Sequence, residues 1–233
     1  FFEEQLACWP EAKERYVNLE KVCLRKLENG LQMQYNPSRV LSAAAKVDSE
    51  SVKKRDCFLC SSNRPQCQMK LDALGNFDVL VNPFPILPNH FTLSWKEHQP
   101  QMLEMMYLDM LILAKEWHRM ALFYNGAKCG ASAPDHAHLQ AVCKQDIPLL
   151  SDEWRERIAE SLEPLFMDGG DGIYMSNGYV VPLFEVRAAS VSRSVELLSR
   201  LLAAMPCEDG EAEPRVNVIC FYERGEGYVT IVV

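Results

Sequence analysis

The run Cys129, Gly130, Ala131, Ser132, Ala133, Pro134, Asp135, His136, Ala137, His138, Leu139, Gln140 constrains this chain more than any other segment. Two of the chain's five histidines stand two residues apart in it. Residues two apart on a strand share a face. The pattern therefore predicts a strand carrying His136, His138 and Gln140 in one polar row, with Ala137, Leu139 and Ala141 turned to a core. Just upstream, Phe123, Tyr124, Asn125 and Gly126 read as a strand end entering a turn. Gly130, Ala131 and Ser132 are small enough for backbone N–H groups to approach an anion. Phosphate chemistry at a histidine is the expectation, against the plain alternative of a strand with a solvated polar face.

With Gly130-Ala131-Ser132, then Pro134, then His136-Ala137-His138-Leu139-Gln140, the segment resembles the signature of the histidine-triad (HIT) superfamily. The resemblance is to the branch in which glutamine replaces the third histidine. That branch holds galactose-1-phosphate uridylyltransferase, diadenosine tetraphosphate phosphorylase and the GDP-hexose phosphorylases. Asn125 matches the asparagine that precedes the signature, and Asp135 is an extra residue between the proline and the first histidine. The resemblance implies an α+β, HIT-like fold, an antiparallel sheet with flanking helices. It also implies a nucleotidyltransferase or phosphorylase. His138 would be the nucleophile on an α-phosphate, Gln140 would stabilise a nucleotidyl-histidine, and Ser132 would contact the leaving group. Asn125 and Gly130 would lie against the substrate. The chemistry is sound, since a neutral imidazole is a competent nucleophile near pH 7 and a phosphoramidate divides one transfer into two easier steps.

Cys57 and Cys60 form a C-x-x-C pair that alone reads as a zinc half-site, a redox pair or coincidence. Carried over from the same relatives, the remaining ligands would be His98 and His136, completing a structural zinc site of four protein ligands. Between these sites, Phe77 to Trp95 reads as two β-rich runs flanking a proline-studded loop. There the resemblance suggests a ribose contact for Asn82 and a base-packing role for Phe84. A turn role for Asn82 and a core role for Phe84 stand beside it. His90 reads as structural, and His118, within a helical pattern, as uninvolved.

A helix over Phe1 to Leu19 is expected to break at Pro10. Val22 to Glu28 and Leu31 to Tyr35 flank Asn29-Gly30, a type I′ hairpin signal. Arg39 is an exposed loop residue in reach of a phosphate, and Ser42 to Asp56 a polar connection. Pro100 to Met120 carries a helical apolar stripe. Helix is also expected at Ser151 to Phe166 and Val191 to Ala204, and strand at Ile173 to Met175, Tyr179 to Val186, Val216 to Tyr222 and Tyr228 to Val233. Met167 to Gly172 lacks the spaced ligands of a calcium loop and reads as a connection. Two units follow: 1–147, a catalytic HIT-like half, and 148–233, a degenerate second half without histidine, with Arg187 a speculative phosphate contact. The chain opens without methionine and closes inside a strand pattern, so further residues are expected beyond both ends.

A net charge of −8 without clustered Lys and Arg argues against a nucleic-acid partner. No apolar run reaches the roughly 20 residues of a membrane span. Nine scattered cysteines fit a reducing cytoplasm. The expected donor is a nucleotide sugar or dinucleoside polyphosphate and the expected acceptor phosphate or a sugar 1-phosphate, in a monomer or homodimer. A HIT-type hydrolase and a non-catalytic nucleotide-binding protein are the alternatives.

Overall fold

In the computed structural model, residues 1–37 and 48–233 are described. Arg39 and the first part of the 42–56 connection lie outside them. The chain breaks its first helix at Trp9, because Pro10 has no N–H to continue the ladder: α1 (Phe2–Cys8) is followed by α2 (Pro10–Val17). A hairpin of β1 (Cys23–Lys26) and β2 (Gln32–Tyr35) follows. Its turn is not the expected two-residue type I′. Gly30 N–H donates to the Leu27 carbonyl and Leu27 N–H to that of Leu31, and in the turn only Gly30 has positive φ, 88°. This is the turn-plus-bulge hairpin that needs one left-handed residue.

Helix α3 (Ser49–Lys54) precedes β3 (Leu71–Ala73), β4 (Phe77–Val81), β5 (Phe91–Trp95), α4 (Leu103–Glu116), β6 (Met120–Asn125) and β7 (His138–Cys143). After them come α5 (Asp152–Glu160), β8 (Leu162–Asp168), β9 (Asp171–Ser176), β10 (Leu183–Ala188), α6 (Val191–Ala204), β11 (Asn217–Glu223) and β12 (Gly227–Val232). Two expectations are corrected here. The helix read over 151–166 ends at Glu160, and Leu162–Asp168 is instead an edge strand whose tight turn to β9 uses Gly169 at φ 63°. The short strand β3 had no alternating pattern long enough to be read.

All strands from β3 onward join one antiparallel sheet of ten, in the order β3-β4-β5-β7-β6-β11-β12-β10-β9-β8. The strand order repeats: 3-4-5-7-6 in the first five and 8-9-10-12-11 in the second five, joined where β6 pairs with β11. In each five a long helix follows the third strand, α4 after β5 and α6 after β10. Both helices cover the same sheet face, burying Leu93, Leu139, Ala141, Leu122, Val218 and Val232 in one core. On the other face, Ala121, Val142, Phe221, Val229 and Ile231 are covered by Ile147, Leu149 and Ile158 of the segment leading into and through α5. Helices α1 and α2 close the same chain's sheet end through Leu6, Trp9 and Ala12 on Val81 and Phe91. Among the described residues no helix is long and apolar enough to cross a membrane.

Candidate active site and metal cluster

β7 has the predicted alternation. Leu139 and Ala141 are fully buried in the helix-covered core, while His138 and Gln140 point to the opposite face. The register places Ser94 opposite His138, and Thr92 and Phe123 either side of Gln140. The expected three-residue polar row is corrected at one position. The strand begins at His138, and the His136 ring leaves the row to join the two cysteines.

His138 is held from two directions. Its Nδ1 lies 2.8 Å from the His136 carbonyl oxygen. An oxygen there can only accept, so Nδ1 carries the proton and Nε2 keeps its lone pair. Nε2 makes no hydrogen bond among the described residues. The backbone of His138 is held by Gln101, whose Oε1 accepts from His138 N–H at 2.8 Å and whose Nε2 donates to the His138 carbonyl at 3.0 Å. The same Nε2 donates to the Asn125 carbonyl at 3.0 Å. β6 and β7 pair only from Phe123–Gln140 to Met120–Cys143, so Gln101 supplies with its side chain the rung the two strands lack at the His138 end. Sequence reasoning missed Gln101, and its place after Pro100 at the head of an apolar helix gave no signal of this role. Burial pushes the His138 imidazole down to about 4, so the ring is neutral at pH 7.

Gln140 Oε1 lies 2.8 Å from His90 Nε2, and His90 Nδ1 faces the Ile86 N–H at 3.4 Å. His90 thus touches a site residue directly. Asn82 turns its Nδ2 to Thr92 Oγ1 at 3.0 Å and accepts the Phe84 N–H at 2.8 Å, an Asx turn that shapes the loop. Phe84 is half-buried, with the Arg15 guanidinium 4.1 Å above its ring centre. Asn125 ends β6 beside Gln101, Gly130 adopts φ 100°, and Ser132 is exposed with its carbonyl accepting from Arg55 at 2.8 Å. Arg187, read as a phosphate contact, is committed elsewhere. With Arg155 it brackets the fully buried Glu185 at 2.5 and 2.6 Å.

Cys57, Cys60, His98 and His136 bring four ligand atoms within 4.8 Å of one another. Cys57 Sγ to His136 Nδ1 is 3.3 Å, Cys60 Sγ to His98 Nδ1 3.2 Å, Cys60 Sγ to His136 Nδ1 3.6 Å, and the two Nδ1 atoms are 3.2 Å apart. Tetrahedral bonds of about 2.0–2.3 Å from one zinc ion would separate ligand atoms by roughly 3.3–3.8 Å, so this set fits zinc closely. The tautomer fits as well. His136 Nε2 is 2.8 Å from the Trp95 carbonyl, which can only accept, so Nδ1 presents its lone pair to the cluster. Burial pushes the Cys57 thiol up to about 11, the cost that a cation bound to the sulfur would offset. The cysteine knuckle is anchored by Arg64, which donates to the Leu59 carbonyl at 2.8 Å, to Ser94 Oγ at 3.1 Å and to Asp78 at 2.7 Å. Asp135, the extra residue in the motif, lies 3.9 Å from His98 Nε2 and 3.4 Å from Arg55.

In fold, the molecule is like a known nucleotide enzyme. Yeast Ap4A phosphorylase Apa2, solved with AMP, superposes with a TM-score of 0.52 at 15% identity, covering 99% of this chain and 79% of that one. The same enzyme with Ap4A gives 0.52 at 15% identity, covering 96% and 79%. By sequence the chain belongs to the family described as a domain of unknown function, DUF4922, whose profile matches residues 1–143. No curated protein matches the chain.

Proposed function

We propose that this protein is a nucleotidyltransferase or phosphorylase that passes a nucleotidyl group through His138. The observation that carries the reading is the locked imidazole: proton on Nδ1 held by the His136 carbonyl, bare Nε2 on the sheet face it shares with Gln140. In the first step Nε2 attacks the α-phosphorus of the donor, a P–N bond forms, and the P–O bond to the leaving phosphate chain breaks. The ring's positive charge then rests on Nδ1–H against the His136 carbonyl. In the second step an acceptor oxygen attacks phosphorus and the P–N bond breaks, returning the neutral ring.

Gln140 has no acidic proton, so it serves as a donor of hydrogen bonds to the phosphoryl oxygens. The Gly130 to Ser132 turn would line the phosphate chain, with Ser132 on the leaving group. Asn125 stands beside it. Phe84 would pack a base on the ring face away from Arg15, and Asn82 would act through the loop it shapes. The donor is a dinucleoside polyphosphate or a nucleotide sugar, and the acceptor is phosphate or a sugar 1-phosphate. The likeness in fold to an enzyme solved with AMP and Ap4A supports the dinucleotide first.

Zinc held by Cys57, Cys60, His98 and His136 would cross-link the segment before β3 to the start of β7, a structural duty with no open position for substrate. Because His136 would bind the metal through its ring and orient His138 through its carbonyl, the cross-link would also hold the nucleophile. We read residues 1–147 as the catalytic HIT-like half and 148–233 as its degenerate repeat. The repeated strand order and the end of the family match at residue 143 support that division.

The test is turnover of Ap4A with and without inorganic phosphate. Phosphate-dependent formation of ADP and ATP is the expected result, with nucleotide sugars as parallel donors. Equal turnover without phosphate would make the protein a hydrolase, and tight nucleotide binding without turnover a binding protein.

A further inference from the structure

A glutamine on a strand can turn its amide either way, and only one way presents N–H donors to a phosphate. Here a neighbour decides. His90 is 1% exposed, at the end of the loop from Asn82, where Asn89 takes the left-handed φ of 49° that turns the chain into β5. The Ile86 N–H can only donate, so His90 Nδ1, 3.4 Å away, is the acceptor and the neutral ring carries its proton on Nε2. That N–H needs an acceptor in turn. Of the two ends of the Gln140 amide only the oxygen qualifies, and it lies 2.8 Å away. Both hydrogens of the Gln140 amide nitrogen are then left for the cleft.

The device is held firmly. Phe123 stacks on the His90 ring with centroids 5.8 Å apart, and the His90 carbonyl accepts from Tyr16 Oη and from Asn82 N–H, each at 2.9 Å. The Ile86 peptide that sets the tautomer is itself gripped, since its carbonyl accepts from Gln34 of the β1–β2 hairpin at 2.9 Å.

We propose that His90 is a positioning residue that fixes the Gln140 amide with its NH2 toward the phosphoryl group transferred at His138. The inference rests on the nucleotidyl-transfer reading given above. Its physical content is a sign: with the amide as found, donors meet the charge that develops on the phosphoryl oxygens, and with the amide reversed a carbonyl oxygen would repel it.

The experiment is a double-mutant cycle on the full chain with Ap4A and phosphate, using His90→Phe, Gln140→Ala and both together, with His90→Gln as the conservative variant. Phe keeps a ring of similar size on Phe123 but cannot donate, while Gln places an N–H near the position of Nε2. His90→Phe is expected to lower kcat by about tenfold to a hundredfold, in the range of losing one donor to a developing oxyanion, with KM changed less than about threefold. His90→Gln recovers most of it, and in the Gln140→Ala background His90→Phe costs nothing further. Equal losses in both backgrounds, or wild-type kcat for His90→Phe, would overturn the proposal.

If His90→Phe does not fold, Gln140→Glu carries the test. It keeps an acceptor for His90 Nε2–H and replaces the NH2 by a carboxylate oxygen, so its kcat is expected below that of Gln140→Ala, and an equal or higher value overturns the idea. The parent reading is checked separately on wild type. A wild-type chain that never acquires a nucleotidyl group refutes both, whereas an adduct with an indifferent His90→Phe refutes the positioning role alone.

Discussion

Strands β7 and β12 occupy the same place in the two repeats of strand order, each between the third and fourth strands of its five. Their partners can be read across. Ser94 and Thr92 of β5 face His138 and Gln140, and Arg187 and Glu185 of β10 face Val229 and Ile231. On β7 that row is polar and lies beside a loop. On β12 it is apolar and sealed under the segment leading into and through α5. The same backbone frame thus yields a reactive face where Gln101 replaces a missing rung and His136 turns to the cysteine cluster, and a plain core where neither device exists. The one polar feature of the second row, Glu185, is fully buried and neutralised by two arginines. Function resides in the departures from the repeat.

The sharpest way to break this comparison is to remove its active member. His138→Ala should cut turnover by about a thousandfold or more while leaving the thermal transition close to wild type, as measured by kcat and Tm. Unchanged turnover would place the chemistry elsewhere. Next in size is the cluster. Cys60→Ser, or exhaustive chelation, should release about one zinc per chain, lower Tm by many degrees and lower kcat together with it, since the carbonyl that orients His138 belongs to a ligand. Metal analysis showing none in the native protein would remove the zinc from the account.

The converse graft sharpens the comparison. Val229→His with Ile231→Gln on β12 should cost about 2–4 kcal/mol by burying two unpaired polar groups and should create no second reactive histidine. Gln101→Leu should cost about 1–3 kcal/mol in urea unfolding, from the orphaned His138 backbone groups, and should reduce kcat about tenfold as the strand end loosens.

The smallest effect is a slope. Burial alone would raise the Glu185 pKa, but hydrogen bonds and charge from Arg155 and Arg187 reverse this and hold it below its ordinary 4.5. The unfolded chain takes up that proton first, so the stability Glu185 contributes is present above about pH 4.5 and is lost as pH falls further. Glu185→Gln should flatten that acid limb in denaturant titrations between pH 5 and 3, whatever it does to stability at pH 7.

Much of the site was legible because its signals are local. Alternation alone separated Leu139 and Ala141 from His138 and Gln140, and the spacing of Cys57 and Cys60 marked a two-sulfur knuckle. The rest depended on distance. Gln101 meets partners 24 and 37 residues away, and His90 meets Gln140 50 residues on, contacts that no local pattern records. The error over 151–166 has a physical source too. Trp154, Ile158 and Leu162 fall at helical spacing, yet an edge strand with one exposed side has no need of strict alternation, and Ser161 already ends the helix. His136 left the polar row because two thiols and a carbonyl hold its ring more strongly than the strand does.

The central claim is that one histidine of the first half, and nothing in the second, carries the nucleotidyl group. It is tested most directly by incubating wild-type protein with Ap4A in the absence of phosphate, quenching at neutral to alkaline pH and mapping the adduct by peptide mass spectrometry. The account predicts an AMP group on the peptide containing His138 and its disappearance in His138→Gly. Label on any residue of 148–233, or undiminished labelling of His138→Gly, would contradict it.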